Sequence, residues 1–465
     1  MIETIEDKLS NRIIQYILLA GITLLAAALR IHKLGEWSFW YDEIFTLRDI
    51  SRIFELSITN QQLSRWLIFA VVNIFGINEF NARLIPALAG TLSIPILYFP
   101  TRKMFSVPVA VLSALFLAIS PWHLYWSQNA RFYTSLLLFY CLGLFLVYFA
   151  FEEDRPWYLV FALFFFGLAV MERVFAAMLV PIIAVYLICI RYLPFKKPPG
   201  LRAKNILILL IPTLIIAFVG SYRFIAYPEK WFDGFGWINN NPIWILSGLA
   251  FYIGIPFICI GLGTAIYFLS EKNRGVFLIT LAAILPAVVI VILSLIQYTA
   301  NRYVFISLVP WLVLSAVGIW ELFRQIRGRA WLLATGVLLI LVLFPMGENI
   351  LYYQYQNGNR DDWKGAFELV DDRMEPEDVV VVTESLMADF YLEGKNIADF
   401  SNLDYVTLPG SNQRYWFVVD NNLGEKDPEI LNWVKENSDL VDNKDVVVRA
   451  RKFKMRVYFY DPAQQ

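Results

Sequence analysis

Histidine, cysteine and charge are all scarce in this chain of 465 residues. The two histidines, His32 and His123, exclude a histidine-rich metal site. The three cysteines, Cys141, Cys189 and Cys259, lie inside apolar runs with no CxxC pair and no zinc spacing, so they read as small core residues. Charged residues are only 17% of the chain and the net charge is −1. No basic cluster is interleaved with aromatics, so nothing points to nucleic acid as a partner. The segment before the first apolar run carries Glu3, Glu6, Asp7, Lys8 and Arg12 without a signal-peptide layout. The first helix is therefore expected to stay as an anchor.

What fills the chain instead is apolar. Hydrophobic residues make up 58%, and the mean hydropathy is +0.54, far above a soluble globular average. Runs of membrane-spanning length recur at about 13–31, 82–101, 108–124, 132–151, 157–171, 174–191, 205–222, 244–270, 275–297, 303–320 and 330–347. The fold class that follows is an α-helical polytopic membrane protein with about eleven transmembrane helices plus interfacial helices. Residues 1–347 form the membrane domain. Residues 348–465 are ordinary and charged, and read as a small α/β soluble domain. In it, helices are expected over 361–374 and 428–436, strands over 378–382 and 414–420, and a hairpin over 445–449 and 452–460.

With a cytoplasmic N-terminus and one crossing per span, the basic connections all fall on one side: Arg102 and Lys103, the run Arg191 to Lys204, Lys272 with Arg274, and Arg324 to Arg329. The apolar stretch 61–77 breaks this pattern if counted as a crossing. It carries Gln61, Gln62, Arg65 and Asn73, which suits an in-plane interfacial helix. Residues 32–81 then form one large outer loop, and the tail lies on the outer face.

That loop contains Trp37-Ser38-Phe39-Trp40-Tyr41-Asp42-Glu43, two adjacent carboxylates among aromatic rings. Ionised groups at a bilayer edge are costly unless solvated, paired or used. The pair is either a hydrated helix-cap feature or chemically active. The same face gathers Trp122 to Tyr133, including Gln128, Asn129, Arg131 and Tyr133. It also gathers Glu172 with Arg173, the loop 223–243 with Arg223, Tyr227, Lys230, Trp231 and Asp233, and Asn301-Arg302-Tyr303. Each arginine alone could snorkel to headgroups. Several on the face that carries paired acids suggest an anionic ligand such as a lipid phosphate. A lipid or glycan transporter is the alternative, but it would favour mid-membrane polar groups and internal repeats, and neither is visible.

Together these motifs resemble the GT-C membrane glycosyltransferases, especially the family 39 branch containing the protein O-mannosyltransferases, and more distantly the lipid A aminoarabinose transferase. The resemblance is carried by Trp40-Tyr41-Asp42-Glu43, Glu79-Phe80-Asn81-Ala82-Arg83-Leu84-Ile85-Pro86, Ser120-Pro121-Trp122-His123, Ser127-Gln128-Asn129-Ala130-Arg131-Phe132-Tyr133, Asn301-Arg302-Tyr303 and Asp361-Asp362-Trp363. It implies inverting transfer of a sugar from a polyprenyl-phosphate donor to a glycan, lipid or protein hydroxyl, at the outer face of the cytoplasmic membrane. By that pattern Asp42 is the base, and Glu43 binds acceptor or fixes the loop. Arg131 and Arg302 contact the donor phosphate, with Arg173 as a further candidate. Trp40, Tyr41, Gln128, Asn129, Tyr133, Glu172 and Tyr303 line the substrate site. Two departures stand out. Asn60-Gln61-Gln62-Leu63 replaces a His- or Lys-Pro-Pro-Leu segment, leaving Arg65 as the nearby cation. Asn129 stands where many relatives carry a carboxylate, which implies chemistry without a metal cofactor.

Overall fold

The structure is a computed structural model that describes residues 8–56, 62–226, 242–295, 299–325, 331–400, 413–420, 428–447 and 452–464, with the side chains of 216, 217, 219–226, 452 and 464 left aside. Tyr227, Lys230, Trp231, Asp233 and the side chain of Arg223 lie outside that description.

Among the described residues, eight helices are long and apolar enough to cross a membrane: Arg12–Ile31, Glu79–Met104, Tyr133–Glu152, Val174–Tyr192, Pro242–Ser270, Arg274–Leu293, Asn301–Gln325 and Trp331–Gln354. The protein is therefore a multi-pass membrane protein. A further apolar pair, Val107–Ile119 and Pro121–Ser127, is bent by 58° at its break, the geometry of a broken span or a re-entrant loop. The break has a local cause. Pro121 occupies the first turn of the second helix, and Ser120 accepts a hydrogen bond from the His123 amide at 3.4 Å. The carbonyls left open by the break are taken by Arg30, fully buried, which donates to Leu117 and Ala118 oxygens at 3.2 and 3.1 Å and to His123 Nδ1 at 2.7 Å. Two expected spans, 157–171 and 205–222, correspond to Trp157–Glu172 and to a helix beginning at Ala203. At 16 residues the first is shorter than the others.

In chain order, the helices that matter for the site are α1 (Arg12–Ile31), α2 (Tyr41–Ser51), α3 (Leu63–Phe75), α4 (Glu79–Met104), α5 (Val107–Ile119), α6 (Pro121–Ser127), α7 (Tyr133–Glu152) and α8 (Trp157–Glu172). The expected interfacial stretch 61–77 is α3, with 13 residues. At about 1.5 Å per residue it is roughly 20 Å long, short of the ~30 Å hydrocarbon core. It stops at Gly76, whose φ of 85° a side-chain-bearing residue adopts poorly. Asn78 then caps α4 through the Asn81 amide at 2.8 Å.

The tail begins after α9 (Trp331–Gln354). Asp362 caps α10 (Trp363–Arg373) by accepting from the Gly365 amide at 3.1 Å. A five-stranded sheet follows, built from β1 (Val379–Val382), β2 (Ile397–Asp399), β3 (Tyr415–Asp420), β4 (Asp439–Asn443) and β7 (Met455–Tyr460) in the order β2-β1-β3-β7-β4. β1 is parallel to its neighbours, and β7 is antiparallel to β3 and β4. The helix α11 (Ser385–Tyr391) joins β1 to β2, and α12 (Pro428–Asn437) joins β3 to β4. The expected hairpin shrinks to two paired residues each in β5 (Val446–Val447) and β6 (Lys452–Phe453). The reason is that β7, mostly buried, inserts between β3 and β4.

The 32–81 loop and the tail share a core. Phe39, Ile44, Leu47 and Ile50 from the loop, Ile68 and Val72 from α3, and Trp363, Phe367 and Val380 from the tail form one apolar cluster. That shared burial holds the roof of the membrane bundle against the soluble layer.

Candidate active site

Asp42 and Glu43 are neighbours in the first turn of α2 with opposite environments. Asp42 keeps 22% of its side chain exposed and Glu43 none. Glu43 Oε2 accepts from the backbone amide of Trp40 at 3.2 Å, capping its own helix. The other contacts are charged: Arg83 Nε to Oε1 and Nη2 to Oε2, both at 2.8 Å, and Arg360 Nη1 to Oε2 at 3.0 Å. The Ala130 amide donates to Oε1 at 2.7 Å. Burial pushes the Glu43 carboxyl up, but the Arg83 and Arg360 guanidiniums outweigh it and hold the group below its ordinary value. A carboxylate so completely engaged fixes the loop, and no oxygen is left for an acceptor.

Asp42 faces the cations the sequence singled out. Its Oδ2 lies 3.6 Å from Arg131 Nη2 and 3.9 Å from Arg302 Nη2. Arg131 Nη1 also donates to the Asp42 backbone oxygen and to Thr46 Oγ1, each at 2.9 Å. Arg173, exposed at the end of α8, lies with its guanidinium 5.7 Å from the Phe132 ring, while Arg131 sits 5.3 Å from the same ring. Arg65 pairs with Asp49 of α2 at 2.7 Å and is electrostatically coupled to Arg131, Arg173 and Glu172. Arg65 thus joins the same cationic rim from the first turn of α3.

The remaining candidates separate into those facing the site and those turned inward. Trp40 packs 6.4 Å from Trp126, and Tyr133 lies 3.8 Å from Trp126, so an aromatic wall runs beside Asp42. Tyr303 packs on Phe175 at 5.1 Å, next to Arg302. Tyr41 is 44% exposed and rests on Phe45. Gln128 is turned inward: it donates to the carbonyls of Arg30 and His32 at 3.1 and 2.8 Å and accepts from Tyr352 at 2.9 Å. That closes the C-terminal end of α1. Asn129 donates to the Tyr125 carbonyl. Glu172 is also spent inside the protein, accepting from the Ser64 amide at 3.1 Å and the Ser64 hydroxyl at 2.7 Å. A carboxylate at the N-terminal turn of α3 satisfies its open amides. Among the described residues, no group of three His, Cys, Asp or Glu side chains is arranged to hold a metal ion.

The central residues that sequence reasoning passed over are Arg83 and Arg360. Arg83 stands inside the Glu79–Pro86 motif, the one charge between the ends of its helix, which is a usable signal for a buried partner. Arg360 had none, because an arginine in a charged tail looks like any surface charge.

Residues 62–216 match the family model described as dolichyl-phosphate-mannose-protein mannosyltransferase. A comparison with curated proteins by sequence gives no match. Among solved structures, ArnT from Cupriavidus metallidurans in the apo state superposes with a TM-score of 0.59 at 15% identity, over 96% of this chain and 98% of that one. The Archaeoglobus fulgidus oligosaccharyltransferase in its apo form gives 0.57 at 14% identity, over 89% and 70% of the two chains. The same oligosaccharyltransferase, AglB, solved with an inhibitory peptide and a dolichol-phosphate, gives 0.58 at 13%, over 95% and 74%. At these identities the likeness is one of fold, and it extends over nearly the whole chain. The chain has the GT-C fold of membrane glycosyltransferases.

Proposed function

We propose that this protein is an inverting glycosyltransferase that moves a sugar from a polyprenyl-phosphate carrier to an acceptor hydroxyl at the outer face of the membrane. The observation that carries the reading is the Asp42 carboxylate standing between the Arg131 and Arg302 guanidiniums at 3.6 and 3.9 Å. A hydroxyl is a weak nucleophile until its proton is removed, and a partly exposed carboxylate can remove it. The new bond forms between the acceptor oxygen and the anomeric carbon. The bond from that carbon to the phosphate oxygen breaks on the opposite face. Polyprenyl phosphate leaves with the electron pair, so cations at its oxygens stabilise the departing charge and no general acid is required.

The same arginines serve both partners in turn. Before donor binds they rest against Asp42. Donor phosphate offers bidentate acceptor oxygens to the guanidiniums and takes their Nη2 groups from the carboxylate, while Arg131 Nη1 stays on the Asp42 carbonyl oxygen. Asp42 is then free to take the acceptor proton. Arg65 and Arg173 extend the cationic rim. Support for the lipid-linked donor comes from the fold neighbours, one of which is described with bound undecaprenyl phosphate and another with a dolichol-phosphate. The acceptor class is a glycan, lipid or protein hydroxyl. Asn129 in place of an acid supports chemistry without a metal, so transfer should persist in excess chelator.

The test is to incubate membranes containing the protein with a panel of radiolabelled polyprenyl-phosphate sugars and follow the label. Transfer of label from polyprenyl phosphate to any other molecule, lipid, glycan or protein, abolished by Asp42→Asn, supports the reading. Retention of all label on the polyprenyl-phosphate carrier for every donor sinks it.

A further inference from the structure

Glu43 is gripped by two guanidiniums, and one of them belongs to the soluble tail. We propose that Arg360 is a positioning residue, through which the docked tail holds Asp42 and Arg131 at their working separation; the inference rests on the catalytic reading of Asp42 given above.

Arg360 is 2% exposed. Its Nη1 donates to Glu43 Oε2 at 3.0 Å and to the Ser38 carbonyl at 3.2 Å, while its Nη2 reaches the Gln128 carbonyl at 3.3 Å. Ser38 lies four residues before Asp42, and Gln128 three before Arg131. One planar fork therefore ties together the two segments that carry the base and the phosphate cation. Arg83 does not duplicate this. Its donors go to Glu43 and to the carbonyls of Leu34, Trp37 and Ser38, all on the outer-loop side.

The turn that delivers Arg360 is itself pressed into place. Gly358 has a φ of 62°, and a Cβ there would stand 2.8 Å from the Trp37 ring, so only glycine fits. Arg360 Nε closes the turn on the Gly358 carbonyl at 3.2 Å. The tail is moored independently nearby. Tyr391 accepts from the Phe39 amide at 2.7 Å and donates to Glu79 at 3.1 Å, and the Lys364 amide donates to Ser38 Oγ at 2.9 Å. With these contacts and the shared apolar core in place, loss of the Arg360 fork should leave the tail docked while the two active segments, still joined by the Ala130 amide to Glu43 and by Arg131 to the Asp42 carbonyl, lose their buried ionic tie and loosen against each other.

The experiment uses the full-length protein with Arg360→Ala, Arg360→Lys and, as a docking control, Tyr391→Phe. A misplacement of about 1 Å can cost on the order of 100-fold in rate. Arg360→Ala should lose about that much in kcat with donor KM little changed. Arg360→Lys, which keeps the charge but not the fork, should recover only part of it, and Tyr391→Phe should keep kcat. Hydrogen–deuterium exchange of Arg360→Ala in detergent should rise over residues 38–51 and 128–132 and stay unchanged over 363–399. Unchanged kcat, or exchange that rises across the tail as well, would overturn the proposal. If the wild type transfers no sugar at all, the catalytic reading fails; the exchange pattern still decides the positioning claim, with faster exchange confined to the two segments supporting it and unaltered exchange refuting it.

Discussion

Arg131 holds Asp42 by its main chain as well as facing its carboxylate: Nη1 is 2.9 Å from the Asp42 carbonyl oxygen, while Nη2 stands 3.6 Å from Oδ2. The short contact anchors the arginine, and the longer one is the contact that a donor phosphate displaces. That division of labour makes the two residues separable by mutation.

Asp42→Asn keeps size and polarity but removes the base. Turnover should fall by about 10²–10⁴-fold with donor binding retained, measured by single-turnover transfer beside equilibrium binding of labelled donor. Near-normal turnover would remove Asp42 from the chemistry.

Arg131→Ala and Arg302→Ala should each weaken donor binding, by roughly 2–5 kcal/mol where the phosphate contact is desolvated. Arg302 is the more exposed of the two, with 31% of its side chain accessible against 14%, so its loss should fall at the lower end. If both variants bind donor as wild type does, the arginines serve only Asp42, and the phosphate site shifts toward Arg65 and Arg173.

Glu43→Gln should damage folding rather than chemistry. It leaves Arg83 and Arg360 buried without an anion, a loss on the order of 3–5 kcal/mol for a broken buried pair. The pH dependence follows from the same group. Its folded-state carboxyl lies below the ordinary value of 4.5, with burial opposing and the two arginines prevailing. The stabilisation it contributes is therefore fully present above about 4.5 and is lost as pH falls through the lower folded value. Thermal unfolding in detergent should show a drop in Tm below pH 4.5 that is shallower in Glu43→Gln. Parallel slopes would mean other carboxylates govern acid stability.

The tail and the 32–81 loop should face outward, and Pro199 inward. In a cysteine-free background, a membrane-impermeant thiol reagent added from outside should label Glu393→Cys and spare Pro199→Cys, both exposed positions. The reverse labelling would require the α3 stretch, or another helix, to cross.

The sequence by itself determined the class and most of the helices. Spans are legible because twenty apolar residues have few alternatives to a membrane helix. Asp42, Arg131 and Arg302 were legible because charge at a bilayer edge is conspicuous. Tertiary structure decided which charges stay partly exposed and which are buried in holding the fold. Asp42 and Glu43 look equivalent in the chain, yet the helical turn aims one at the open site and the other at Arg83 and Arg360. Gln128 and Glu172 looked like substrate ligands, but each satisfies the open end of a helix far away in sequence, a demand that only folding creates. Arg360 lies 317 residues from Glu43, and no local pattern announces so distant a partner. Electrostatic pairing across that separation is fixed by packing the tail on the 32–81 loop, where burial leaves both Arg83 and Arg360 with Glu43 as their carboxylate partner.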